Sequence, residues 1–318
     1  MTRFKLHWIG IVGLLATTAA CGTLSRGSAA PSPVATPSGV LAPSSPGGTA
    51  TAPSSGGAAS ATPAPTAATT ASPAALRLTP SAPGPWKQAL ADDFNGPTLD
   101  GDRWTTCYDW NSGGCTNAGN HEAQWYTSDQ VSQSGGALLL SAKRRWTQGS
   151  NGHDYPWTSG MVSTGRDSWN APVRAAFTYG YFAAAIRIPA GQGMFPSFWL
   201  MPSSRTAPPE IDVMEGIQST TAMEMNVHWA DAAGVDRHAA HRYGSVDYSA
   251  GYHVFAVDWE PDSLTWYIDG VARYRVTAHI PQVPMEVLLN LAVGYPEAPP
   301  ASVDSARMSV DWVRVWQH

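Results

Sequence analysis

The chain has 318 residues, enough for one sizeable domain with a tail or for two small ones. Its net charge of -5 at pH 7 argues against a polyanionic partner such as nucleic acid. It carries 14 tryptophans, an excess that suits flat rings stacking on sugar faces as well as a sandwich core.

Residues 1–20 read as an export signal. Arg3 and Lys5 give a positive start, and Trp8 to Leu15 an apolar run too short to span a bilayer. Two processing routes stay open. Ala20-Cys21 resembles a bacterial lipoprotein junction, which would leave Cys21 lipidated and the protein on a membrane surface. Small residues around Ala20 and Ala30 also allow ordinary cleavage and free secretion. Residues 21–85 are Ala, Pro, Ser, Thr and Gly with almost no charge. Such a stretch cannot bury enough apolar surface to offset chain entropy, so a disordered, extended spacer is expected.

A folded domain is expected over 86–318. Cys107 and Cys115 flank a Gly-rich loop, and in an exported protein they are expected to form a disulfide. Short segments of strand character follow: Ala137–Ala142, Tyr179–Ile188, Met223–Trp229, His253–Trp259, Thr265–Ile268, Val287–Val293 and Met308–Trp316. In Met223–Trp229, Met223, Met225 and Val227 share one face, and Glu224, Asn226 and His228 the other. No long helical period appears, so the fold class is all-β with sandwich spacing.

Within this frame Glu210-Ile211-Asp212-Val213-Met214-Glu215 stands apart. On a regular strand Glu210, Asp212 and Met214 share a face, and Glu215 would enter the core as a costly lone carboxylate. One extra residue, a β-bulge at Val213-Met214, returns Glu215 to the face of Glu210 and Asp212. Three carboxylates on one face push their pKa values apart, separating an acid from a base. Two glutamates leaning over the shorter aspartate could bring their carboxyls to about 5–5.5 Å, the spacing of a retaining glycosidase. The spacing alone leaves open a solvated acidic edge strand or a metal site.

Phe198-Trp199-Leu200 followed by Glu210-x-Asp212-x-x-Glu215 resembles the signature of glycoside hydrolase family 16, in its laminarinase-like, bulged branch. The resemblance runs from about Asp92 to the C-terminus. It takes in Asn120-x-Glu122-x-Gln124-x-Tyr126, Tyr179-Gly180-Tyr181-Phe182, His228-Trp229, Phe255-Ala-Val-Asp-Trp259, Trp266-Tyr-Ile-Asp269-Gly270, Leu289-Asn290-Leu-Ala-Val293 and Val310-Asp311-Trp-Val-Arg314. It implies a jelly-roll β-sandwich of the concanavalin A-like kind, working as a monomer on a polysaccharide. The reaction implied is retaining, endo-acting hydrolysis of β-glucans, β-1,3 bonds first, with Glu210 as nucleophile, Glu215 as acid/base and Asp212 between them. No cofactor is implied for the chemistry.

The same resemblance places Trp199, His228 and Asn290 in the cleft and suggests Glu122 and Gln124 for its rim. It also suggests a structural calcium held by Asp93 and Asp311. Several departures bear on substrate. Ala183-Ala184-Ala185 stands where the family carries Glu-Ala-Arg, so a charged sugar-side contact is expected to be missing. Phe195 replaces a tryptophan, and Tyr295 stands near the place of another. Three other readings stay open: the same mechanism on a mixed-linkage glucan, galactan or cell-envelope glycan; a transglycosylase; and a glycan-binding protein without catalysis.

Overall fold

A computed structural model describes residues 84–108, 114–244 and 246–318. The expected export signal, most of the spacer and Cys21 lie outside the described residues. Among the described residues no helix is long and apolar enough to cross a membrane.

The strands, in order, are β1 (Lys87–Asp92), β2 (Gln124–Tyr126), β3 (Val131–Gln133), β4 (Leu138–Gln148), β5 (Asp154–Ser159), β6 (Met161–Ser163), β7 (Gly180–Arg187) and β8 (Met194–Pro202). There follow β9 (Glu210–Glu215), β10 (Ala222–Ala230), β11 (Asp236–Gly244), β12 (His253–Glu260), β13 (Ser263–Ile268), β14 (Val271–Val276), β15 (Met285–Val293) and β16 (Ser305–Gln317). They form two sheets. The larger runs β14-β13-β12-β7-β16-β4-β5-β2, with β1 also on β16 and β3 also on β4. The smaller runs β11-β10-β9-β8-β15-β6. All pairs are antiparallel except β2 with β5. The fold is an all-β jelly-roll sandwich.

Alternation explains the layering. From the small sheet, Phe198, Leu200, Ile211, Met223, Met225, Val227, Leu289 and Leu291 point into the core. Phe182, Ala184, Ile186, Phe255, Val257, Trp259, Val313 and Val315 meet them from the large sheet. The opposite face of the small sheet carries Ser197 and Trp199 on β8, the acidic residues of β9, and Leu288 and Asn290 on β15. Each residue of β8 and β15 is buried, so both faces of these strands are covered. A second apolar cluster of Tyr108, Tyr126, Met161, Trp199, Met201 and Leu288 underlies that outer face.

The structure corrects one expectation here. β7 lies in the large sheet, with Ala184 in the sandwich core. Ala183 and Ala185 face the other way and pack with Tyr181, Val254, Ala256 and Trp312. These alanines leave room for rings lying on the outside of the large sheet. They are remote from the small sheet's outer face, so the missing Glu-Ala-Arg removes no contact there.

Candidate active site

The site begins with a register slip. β9 pairs with β8 through Ser197–Glu215 and Trp199–Asp212, and with β10 through Glu224–Glu215 and Asn226–Asp212. On both sides three partner residues, Ser197–Trp199 and Glu224–Asn226, face four of β9, Asp212–Glu215, so β9 carries the extra residue. Val213 and Met214 consequently both enter the core, beside Ile211. Glu210, Asp212 and Glu215 all line one pocket with Trp199, Asn290 and Glu122. The backbone at the bulge is held from the other sheet: the Trp266 indole on β13 donates to the Asp212 carbonyl at 2.8 Å.

The carboxylates sit in a field of neighbours. Burial, then the charges of Asp212 and Glu224, raise Glu215 well above the usual carboxylate range, against a hydrogen bond from Asn226 Nδ2 at 2.5 Å. Burial, then Asp212 and Glu215, raise Glu210 as well. Asp212 is 2% exposed, and its Oδ2 lies 3.4 Å from His228 Nε2. His228 Nδ1 lies 3.3 Å from the Asp236 carboxylate on β11. Burial works against a charged His228, but Asp212 and Asp236 outweigh it and its pKa is raised.

The aromatic wall is tied to the same centre. Trp199 Nε1 donates to Asn290 Oδ1 at 2.7 Å, and Asn290 Nδ2 donates to the Tyr126 hydroxyl at 3.0 Å. Tyr108 packs edge-on to Tyr126 and Trp199. It follows Cys107, which is bonded to Cys115 with Cα atoms 4.8 Å apart. Glu122 is buried, and burial first raises its pKa to about 7 against hydrogen bonds from Gln124 and Asn120. Phe195 lines the pocket and stacks on Tyr295 at 5.2 Å between centroids.

Residues 118–314 match the model for glycosyl hydrolases family 16. The chain belongs to this family. The family-16 chain is 34% identical over 249 residues to endo-1,3-1,4-beta-glycanase EglC of Rhizobium meliloti, covering 72% of itself and 51% of that protein. It is 31% identical over 199 residues to a glucan endo-1,3-beta-glucosidase of Cryptopygus antarcticus, covering 59% of itself and 68% of that protein. The endo-beta-1,3-glucanase of Pyrococcus furiosus superposes with a TM-score of 0.61 at 27% identity, over 73% of this chain and 94% of that one. The chain spans about half the length of the first relatives it matches, 51% and 45%.

Of the expected site residues, Glu210, Asp212, Glu215, Trp199, Asn290 and Glu122 meet at the family-16 pocket, with His228 against Asp212. Gln124 does not lie on a rim. It is fully buried, donates to Glu122 at 2.6 Å, and accepts from the Val293 amide at 2.7 Å. It shares a face with Glu122, as the spacing predicts, but β2 is buried throughout, so that face does not reach solvent at Gln124. Asp93 and Asp311 do not fit a calcium ion as they stand. Arg314 is paired with Asp93 and donates to the Asp92 and Val313 carbonyls, so a guanidinium takes the oxygens that a six- to eight-oxygen cation needs. Asp311, in the β16 bulge, is raised by burial and then by the Asp93 charge. Two further residues of the site, Tyr108 and Asp236, are not among those expected from sequence. Tyr108 could have been found from its place beside Cys107, whereas Asp236 carries no local signal.

Proposed function

We propose that the chain is a retaining, endo-acting hydrolase of β-glucans that cuts β-1,3 bonds by double displacement. The observation that carries this reading is the bulged β9, which gathers Glu210, Asp212 and Glu215 on one cleft face. The names of the relatives, an endo-1,3-1,4-beta-glycanase, a glucan endo-1,3-beta-glucosidase and an endo-beta-1,3-glucanase, support the substrate class.

Glu210 attacks the anomeric carbon while Glu215 gives its proton to the departing glycosidic oxygen. The C–O bond breaks and a glycosyl–Glu210 ester remains. Coupling between the carboxyls then changes the second step. The Glu215 charge helps to raise Glu210, and repulsion between two close carboxylates acts on each only while the other is charged. Once Glu210 is esterified its charge is gone, Glu215 becomes the stronger acid, and its carboxylate is free to take a proton from water. Water adds at the anomeric carbon and Glu210 is released. Asp212 lies between the two and supplies repulsion to both. Trp199, fixed by Asn290, offers a rigid ring to the sugar, and Glu122 accepts a hydroxyl.

Product release from laminarin, lichenan, agarose and a cell-wall extract tests the reading. Short oligosaccharides should appear from laminarin with the wild type, with retained anomeric configuration by NMR, and should all but vanish with Glu210→Gln. Normal turnover by Glu210→Gln would sink the assignment. Cleavage of lichenan alone would move the specificity to mixed-linkage glucan, in keeping with the name of the Rhizobium meliloti relative.

The N-terminal stretch supports export, with a lipid on Cys21 anchoring the domain through the spacer. Radiolabelled palmitate should enter the wild type and not Cys21→Ala; equal labelling of both would contradict the anchor.

A further inference from the structure

Asp212 and His228 meet beside Glu210. Asp212 Oδ2 is buried and accepts no well-formed hydrogen bond; its neighbour is His228 Nε2 at 3.4 Å. A tetrahedral ion with ligand bonds of about 2.0–2.1 Å spaces its ligand atoms about 3.4 Å apart. Glu210 offers a third donor: one ligand atom each from Glu210, Asp212 and His228 lie within 4.8 Å of one another. The far ring nitrogen is also prepared. Asp236 lies 3.3 Å from His228 Nδ1 through both oxygens, and a proton held there leaves the Nε2 lone pair facing Asp212. A carboxylate behind a histidine in this way is a common support for a metal ligand.

We propose that Glu210, Asp212 and His228 form an inhibitory binding site for a borderline transition-metal dication such as Zn2+. One imidazole nitrogen with two carboxylate oxygens suits that class, whereas calcium and magnesium prefer oxygen alone. Glu210 and Asp212 face the pocket, which leaves a fourth position for water. Glu210 closes on the ion by a side-chain rotation. The bound ion takes the carboxylate that attack on the sugar needs. Metal and glucan turnover therefore exclude one another, and the exported domain would be silenced where the free metal is abundant. The inhibition part rests on the hydrolase reading; the binding part does not.

Calorimetric titration of Zn2+ into the full, chelator-stripped chain tests the site. One ion should bind per chain in the wild type. Affinity should drop more than tenfold in His228→Asn and in Glu210→Gln, and 10–100-fold in Asp236→Asn. His241→Asn should leave it unchanged, because His241 stacks on Tyr274, away from the pocket. Circular dichroism melts check that each variant is folded, and His228→Gln serves if His228→Asn is not. Unchanged affinity in a folded His228 variant, or loss in His241→Asn alone, overturns the site. If laminarin is cut, Zn2+ should stop cleavage and EDTA restore it; undiminished cleavage with the site filled overturns the inhibition. If no polysaccharide is cut, the calorimetry still decides the binding, and the hydrolase reading fails separately.

Discussion

At the scale of the residue, Glu215 is the group whose surroundings can be tuned in both directions. Asn226 donates to it and favours its charge; Glu224, opposite it on β10, disfavours that charge. Arg242 pairs with Glu224 at 2.5 Å and moderates the second effect. Two substitutions should therefore move the alkaline limb of the pH–rate profile in opposite senses. Asn226→Ala removes a contact that lowers the pKa, so Glu215 keeps its proton further and the limb moves to higher pH. Glu224→Gln removes a repulsive charge, so the limb moves to lower pH. The measurement is kcat/KM on laminarin across the range; movement of both limbs in the same sense would show that Glu215 is not the titrating acid. The repulsion within the β9 trio was legible from spacing alone. Asp236 was not, because its partner His228 lies on another strand and β11 has no apolar alternation to fix its register.

At the scale of the element, β9 works only because a strand of the opposite sheet supports it. The bulge leaves the Asp212 carbonyl facing the core, and Trp266 supplies the donor. Trp266→Phe keeps most of the ring and deletes the donor. Leaving a buried carbonyl unsatisfied should lower stability by about 1–3 kcal/mol in chemical denaturation. Turnover should fall with little change in KM, since the backbone under Asp212 loosens; unaltered turnover in a folded Trp266→Phe would separate the bulge from catalysis. The need for a bulge was readable from Glu215, which otherwise enters the core. The donor was not readable, since Trp266 sits in an ordinary alternating strand and nothing in its neighbours names a partner 54 positions away. The Ala183–Ala185 expectation failed for a related reason. Alternation says which residues share a face, and only the sheet to which β7 belongs says what that face meets.

At the scale of the whole molecule, the raised carboxyls set how stability varies with pH. A carboxyl whose pKa is higher folded than unfolded contributes fully below its unfolded value, and that contribution is lost as pH rises through the folded one. Glu122, at about 7 against 4.5, is such a group, and Asp258, raised by burial and then Glu260 to about 6, is another. Asp129, lowered to about 2 chiefly by Arg145, acts in the opposite sense at low pH, but at an exposed pair. The domain should accordingly lose stability between pH 5 and pH 8. Glu122→Gln should flatten that decline by up to roughly 3 kcal/mol, read from denaturant midpoints at the two pH values. An equally steep decline in the variant would place the sensitivity elsewhere. The two-sheet arrangement was the most legible feature of the chain, because paired alternating strands leave few other ways to bury so many rings. The hold of Trp266 on Asp212 carries one more consequence, for protein engineering. Transplanting the six residues of β9 into an unrelated sandwich would carry over the carboxyls and leave behind the indole that supports their backbone. A working graft needs a donor of matching reach on the facing sheet, so the smallest transferable unit is discontinuous in sequence.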